Sequence, residues 1–145
     1  MAESQNENKG PATRPIRPGL FVDSGSDGRP KLCGSRCRET GEYFWPKEIM
    51  NPTTRKWGTL TESEIDGAGR IVSYTVVARG LPGFASPYAL ATIALDQGPT
   101  LIAQLEDWQG KTLALGQRVE LKIGVVSTDK DGTRVMGPKF MPLSS

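Results

Sequence analysis

The chain has 145 residues, 37% of them hydrophobic and 23% charged, with 18 Lys and Arg against 16 Asp and Glu for a net charge of +2. That is a globular balance, long enough to bury the core of one modest domain with appendages and too nearly neutral to demand a polyanion as partner. Histidine is absent, which excludes Ser-His-Asp and Cys-His catalysis and the His-containing zinc sites, and the only cysteines are Cys33 and Cys37.

The opening MAESQNENKG lacks the apolar segment of a secretion signal, and no stretch approaches the ~20 apolar residues of a membrane helix. The expectation is a soluble, cytoplasmic chain with reduced thiols, and a Cys33–Cys37 disulfide stays open. Residues 1–18 are polar and Pro-rich without periodicity, an arm that is disordered or drapes over the rest. Leu20-Phe21-Val22 is an apolar patch suited to anchoring that arm, and the DSGSDG that follows is turn chemistry. Lys31 to Pro46 reads as two short strands around a Glu39-Thr40-Gly41 turn, with Tyr43, Phe44 and Trp45 on the return. Asn51-Pro52-Thr53-Thr54 is a second turn.

Beyond Trp57 the pattern sharpens. Val119, Leu121, Ile123 and Val125 alternate with Glu120, Lys122 and Gly124, and Leu101, Ala103 and Leu105 alternate likewise, the period of a half-buried strand. Ile71 to Val77 and Ala89 to Leu95 are β-branched or apolar runs of strand length. Asp96-Gln97-Gly98-Pro99 is short enough to join Ala89–Leu95 and Thr100–Leu105 as a hairpin. A brief helix near Glu106–Leu115 is the one helical expectation, weakened by Gly110. Five or six strands in so short a span need protected edges, which a small barrel of the five-stranded OB type supplies. An immunoglobulin-like sandwich is the rival, but it asks for about seven strands.

Three stretches carry a family resemblance. They are Gly34-Ser35-Arg36-Cys37-Arg38 with Gly41 and Phe44-Trp45-Pro46; Gly69-Arg70-Ile71-Val72-Ser73-Tyr74-Thr75-Val76-Val77 with Pro87-Tyr88-Ala89-Leu90-Ala91; and Leu115-Gly116-Gln117-Arg118-Val119 with Pro138-Lys139-Phe140 and Pro142. The chain resembles the small zinc-ribbon plus OB-fold proteins that accompany thiolase-fold enzymes acting on acyl-CoA. The resemblance implies a mostly β chain in three parts: the arm at 1–18, a rubredoxin-like β-ribbon at 19–57 and an OB-fold barrel at 58–145. In that family the ribbon holds zinc through two Cys-x-x-Cys knuckles. Here the four positions are Cys37, Thr40, Asn51 and Thr54, and one thiolate with neutral oxygens is a poor zinc set, so no metal is expected. The aromatic cluster, Trp57 or burial against a partner would then replace the folding energy of the metal, the partner being favoured.

The function implied is that of a non-catalytic accessory subunit. It would bind a thiolase-fold subunit (thiolase, acyltransferase or retro-aldolase), in a two-plus-two hetero-oligomer, and help position the acyl-CoA substrate. No cofactor is bound by this chain itself, and a coenzyme A thioester is shared with the partner. The expected partner interface is Phe21, Tyr43, Phe44, Trp45, Trp57, Leu81 and Phe84, with Trp45 and Phe84 as anchors, and the expected coenzyme A contacts are Arg36, Arg38, Phe84 and Tyr88.

Each choice has a plainer rival. The aromatics serve equally as a ribbon core. For the basic run Arg14, Arg17, Arg29, Lys31, Arg36 and Arg38 a solvated surface is favoured over contact with coenzyme A phosphates or an acidic partner, and for the loop from Gly80 to Pro87 docking or ligand contact is favoured over a cover on one barrel end. Cys37, flanked by Arg36 and Arg38, has the setting of a thiolate nucleophile but no base, so a relic of a metal site is the simpler reading. The alternative function is an OB-fold single-stranded nucleic-acid binder, against which residues 59–145 carry 8 basic and 9 acidic side chains.

Overall fold

The computed structural model describes residues 12–79, 82–84 and 87–143. Ten strands follow in chain order: β1 (Thr13–Pro15), β2 (Phe21–Val22), β3 (Lys31–Cys37), β4 (Tyr43–Phe44), β5 (Leu60–Asp66), β6 (Ala68–Val77), β7 (Tyr88–Leu95), β8 (Thr100–Leu105), β9 (Arg118–Thr128) and β10 (Arg134–Pro142). Among the described residues there is no helix, and none long and apolar enough to cross a membrane.

The alternating segments do what their period requires. Ala89, Ala91, Ile93 and Leu95 of β7 turn inward, as do Leu101, Ala103 and Leu105 of β8 and Val119 and Leu121 of β9. β6 pairs antiparallel with β7 and β7 with β8, the β7–β8 link being the expected hairpin at Asp96–Pro99 with Gly98 at φ 121°. β8 then pairs in parallel with β10, β10 antiparallel with β9, and β9 antiparallel with β6. The circuit closes on itself, so no barrel edge is left open. This five-stranded closed barrel is an OB-fold. Phe140 of β10 is fully buried at its centre.

The second sheet has β3 in its middle, with β2 and β4 along one side and β5 along the other. β5 therefore belongs by pairing to this ribbon, although a division at 57/58 puts it with the barrel; the barrel's own first strand opens at Ala68. Asp66, Gly67 and Ala68 carry the chain from one sheet to the other. A Cβ on Gly67 would overlap the Cβ of Leu121, whose N–H donates to the Gly67 carbonyl at 2.9 Å, so only glycine lets the two sheets meet here. Leu32 and Ile65 of the ribbon are fully buried in the same apolar cluster as the barrel side chains, and Phe21, Tyr43 and Trp45 pack against it. The ribbon's core is thus the barrel's own flank, and its burial does not require a partner.

One expectation is corrected and one open question is closed. Glu106–Leu115 is a loop: Asp107 at φ 51° and Gly110 at φ 81° break any helical turn, and Trp108 and Leu113 pack on the core instead. Cys33 and Cys37 are free thiols. They lie four residues apart on an unbroken strand in register with β5, about 13 Å apart at ~3.3 Å per residue, beyond the reach of a disulfide. Residues 1–11 of the arm lie outside the described residues; beyond them β1 runs parallel to β10, Thr13 opposite Arg134.

Candidate functional site

The ribbon ends in two turns that face each other. β3 finishes at Cys37, which is 1% exposed, and the Gly41 N–H returns to the Cys37 carbonyl at 2.8 Å with Gly41 at φ 79°. In the second turn the Arg55 N–H returns to the Asn51 carbonyl at 2.7 Å, with Arg55 at φ 63°. Asn51 is completely buried, and its Oδ1 accepts the N–H groups of Thr53 at 2.8 Å and Thr54 at 3.1 Å. Its Nδ2 and the buried Thr59 Oγ1 have no hydrogen-bond partner among the described residues. The Thr40 hydroxyl holds the Cys37 thiol down to about 6 against the opposing effect of burial, helped by the Thr40 N–H, the Thr59 hydroxyl and the Asn51 amide. Burial raises Cys33, by contrast.

This donor set does not fit zinc. One thiolate is available, Cys33 lies too far along β3 to add a second, and Asn51 commits its oxygen to two backbone N–H groups while its NH₂ has no lone pair to offer a metal. Among the described residues no three His, Cys, Asp or Glu side chains converge on a common point.

The turns carry an apolar tip. Met50 and Trp57 form an isolated antiparallel bridge, and beside it Ile49 is 79% and Trp57 68% exposed. The other expected interface aromatics are half-buried. Trp45 donates from Nε1 to the Leu20 carbonyl at 3.0 Å, and Tyr43 lies under the Arg36 guanidinium at 5.6 Å. Phe21 pairs into the ribbon opposite Leu32, and Phe44 opposite Ser35. Thus Trp57 alone of this group presents most of its surface outward. Ile49 escaped the sequence reading because a single apolar residue in a turn segment has no period, and Thr59 left no signal at all.

A second feature lies at one end of the barrel. Tyr88, Gln104, Glu106, Trp108, Val126 and Lys139 line a cleft of about 330 Å³, with Lys139 Nζ 3.6 Å from Glu106 and donating to the Val125 carbonyl at 3.2 Å. Phe84 packs on Tyr88 with ring centroids 5.7 Å apart. Leu81 lies outside the described residues. The four expected coenzyme A contacts divide accordingly: Phe84 and Tyr88 sit by this cleft, whereas Arg36 and Arg38 sit on the ribbon, where Arg38 donates to the Gly58 carbonyl. The basic run is partly neutralised within the fold, Arg14 by Asp129 at 3.1 Å and Lys31 by Asp27 at 2.9 Å and by Asp66.

Comparison with known proteins agrees with this architecture. A family model described as the ChsH2 C-terminal OB-fold domain matches residues 62–124. A DUF35 domain-containing scaffold protein of Methanothermobacter thermautotrophicus is 33% identical over 117 residues, 79% of this chain and 88% of that one. The benzoylsuccinyl-CoA thiolase subunit BbsA of Thauera aromatica is 31% identical over 142 residues, 94% of this chain and 96% of that one. Among solved structures, the Ltp2-ChsH2(DUF35) aldolase matches with a TM-score of 0.62 and 24% identity over 77% of this chain and 84% of that one, a likeness of fold.

Proposed function

Given that this chain belongs to the DUF35 family of OB-fold proteins, we propose that it is a non-catalytic accessory subunit of a thiolase-fold enzyme. In this reading it docks on that enzyme and helps position an acyl-CoA substrate whose chemistry the partner performs. The observation that carries it is the end-to-end likeness to a protein named as a thiolase subunit, which spans the ribbon as well as the barrel. The physical setting supports it. The chain offers no histidine to act as base to a nucleophile, and among the described residues the most exposed large apolar side chains include two on one ribbon tip. An aromatic there, ringed by the polar side chains of the turns, has the make-up of an interface anchor.

The ribbon tip makes the principal contact in this account, with the Phe84 end of the barrel beside the substrate entrance. A thioester approaching that end meets the Phe84–Tyr88 pair and the Lys139 ammonium. The stoichiometry proposed is two of these chains with two partner chains. Co-expression with a thiolase-fold protein encoded beside it, followed by affinity capture of this chain and size exclusion, tests the reading. Co-elution of both chains in constant ratio is the expected result, and elution of this chain by itself would contradict it.

A further inference from the structure

The two ribbon turns repeat one another atom for atom in their hydrogen bonding. In each, residue i accepts from the N–H of residue i+4 through its carbonyl: Cys37 from Gly41, Asn51 from Arg55. In each, residue i+4 has positive φ. The threonine at i+3 accepts through Oγ1 from the N–H of residue i+5, Thr40 from Glu42 at 3.2 Å and Thr54 from Lys56 at 3.4 Å. The N–H of residue i donates to the carbonyl of residue i+5, Cys37 to Glu42 at 2.8 Å and Asn51 to Lys56 at 3.1 Å, and Asn51 Oδ1 also accepts from Thr53 and Thr54. Two turns of this form, facing each other and presenting four side chains at positions i and i+3, are the backbone of a metal knuckle.

The side chains invert the chemistry of such a site. A zinc knuckle places anionic ligands around a cation. Here the four positions hold one thiol, two hydroxyls and an amide that gives its oxygen to backbone N–H groups and keeps a buried, unpartnered Nδ2 donor. Glu42 ties the turns together from outside, taking Thr40 Oγ1 on one carboxylate oxygen and Thr53 Oγ1 on the other, both at 3.3 Å, and the Lys56–Glu39 pair at 3.2 Å does so again.

We propose that these turns form a metal-free knuckle, held by their own backbone hydrogen bonds, by Asn51 Oδ1 and by the Glu42 bridge between them, and that the ribbon closes without zinc. The ligand class once suited to the site, a tetrahedral soft cation, is replaced by the protein's own hydrogen bonds. The Ile49–Trp57 tip hangs on the second turn and so keeps its shape whatever the metal supply.

The full chain, purified from zinc-supplemented culture, tests this. It should carry zinc well below one equivalent, with an unchanged melting temperature in chelator. About one zinc per chain, with a melting temperature that chelator lowers, would overturn the proposal. The geometric half has its own test. The Thr40→Cys/Asn51→Cys/Thr54→Cys variant should take up about one cobalt per chain with the absorption of a tetrahedral thiolate site. Failure to take up cobalt, folded or not, would refute the knuckle geometry.

Discussion

Trp57→Ala separates docking from folding. A tryptophan side chain offers up to about 250 Å², and Trp57 is 68% exposed, so roughly 170 Å² of it is free to be covered by a partner. At ~25 cal/mol per Å² the ceiling is about 4 kcal/mol. An interface anchor typically loses about 2 kcal/mol or more on truncation, or roughly thirtyfold in Kd. The free chain should hardly notice, since the Met50–Trp57 bridge is made by backbone and exposed substitutions shift stability by about 0.5 kcal/mol or less. Titration calorimetry against the purified thiolase-fold subunit reads the first quantity, and differential scanning calorimetry of the free chain reads the second. Trp45→Ala is the contrasting variant. It removes a half-buried ring from the core flank and the hydrogen bond to the Leu20 carbonyl, and should cost the fold about 2–3 kcal/mol. If Trp57→Ala leaves Kd unchanged, or lowers the melting temperature as far as Trp45→Ala does, the assignment of the ribbon tip as the docking surface is wrong.

Three further outcomes follow from the geometry. Gly67→Ala drives a Cβ into Leu121 where the sheets meet, and should cost about 3 kcal/mol, seen as a fall of about 10 °C in melting temperature. Arg55→Gly relieves a non-glycine residue at φ 63° and should raise stability by about 0.5–1 kcal/mol in denaturant unfolding, once the extra freedom of unfolded glycine is subtracted. Hydrogen bonding from Lys31 holds the Asp27 carboxyl below its ordinary 3.8, and from Arg118 that of Asp96. A carboxyl lowered in the folded state contributes stability that is complete above about pH 3.8 and is lost as pH falls through the lowered value. Asp96→Asn should therefore remove part of the acid limb of a stability-against-pH curve and leave its slope near neutrality unchanged.

Legibility in the sequence followed locality. β7, β8 and the first half of β9 declared themselves because one face of each packs on the core, so their period of two survives intact in the residues. β10 did not. Pro138 and Pro142 argue against an interior strand, and its inward residues shift phase between Gly137 and Phe140. Nor did β5, whose sequence LTESEID turns only Ile65 into the core. The closure of the barrel depends on the parallel β8–β10 pairing, which joins segments distant in the chain and leaves no short-range trace. The candidate site shows the same division. The spacing of Cys37 to Thr40 and of Asn51 to Thr54 is visible in sequence, but that Asn51 and Thr59 collect around Cys37 is a tertiary fact. The outward position of Trp57 and the inward one of Trp45 likewise follow from which strand meets the barrel flank, and composition cannot tell them apart.

The account stands most directly on where the chemistry resides. Thioester turnover should be measured with a panel of acyl-CoA thioesters for this chain alone, for the thiolase-fold subunit alone and for the two combined. The account predicts no turnover by this chain and a rate in the combined sample above that of the partner alone. Turnover by this chain unaided, or a partner rate indifferent to its addition, would contradict it.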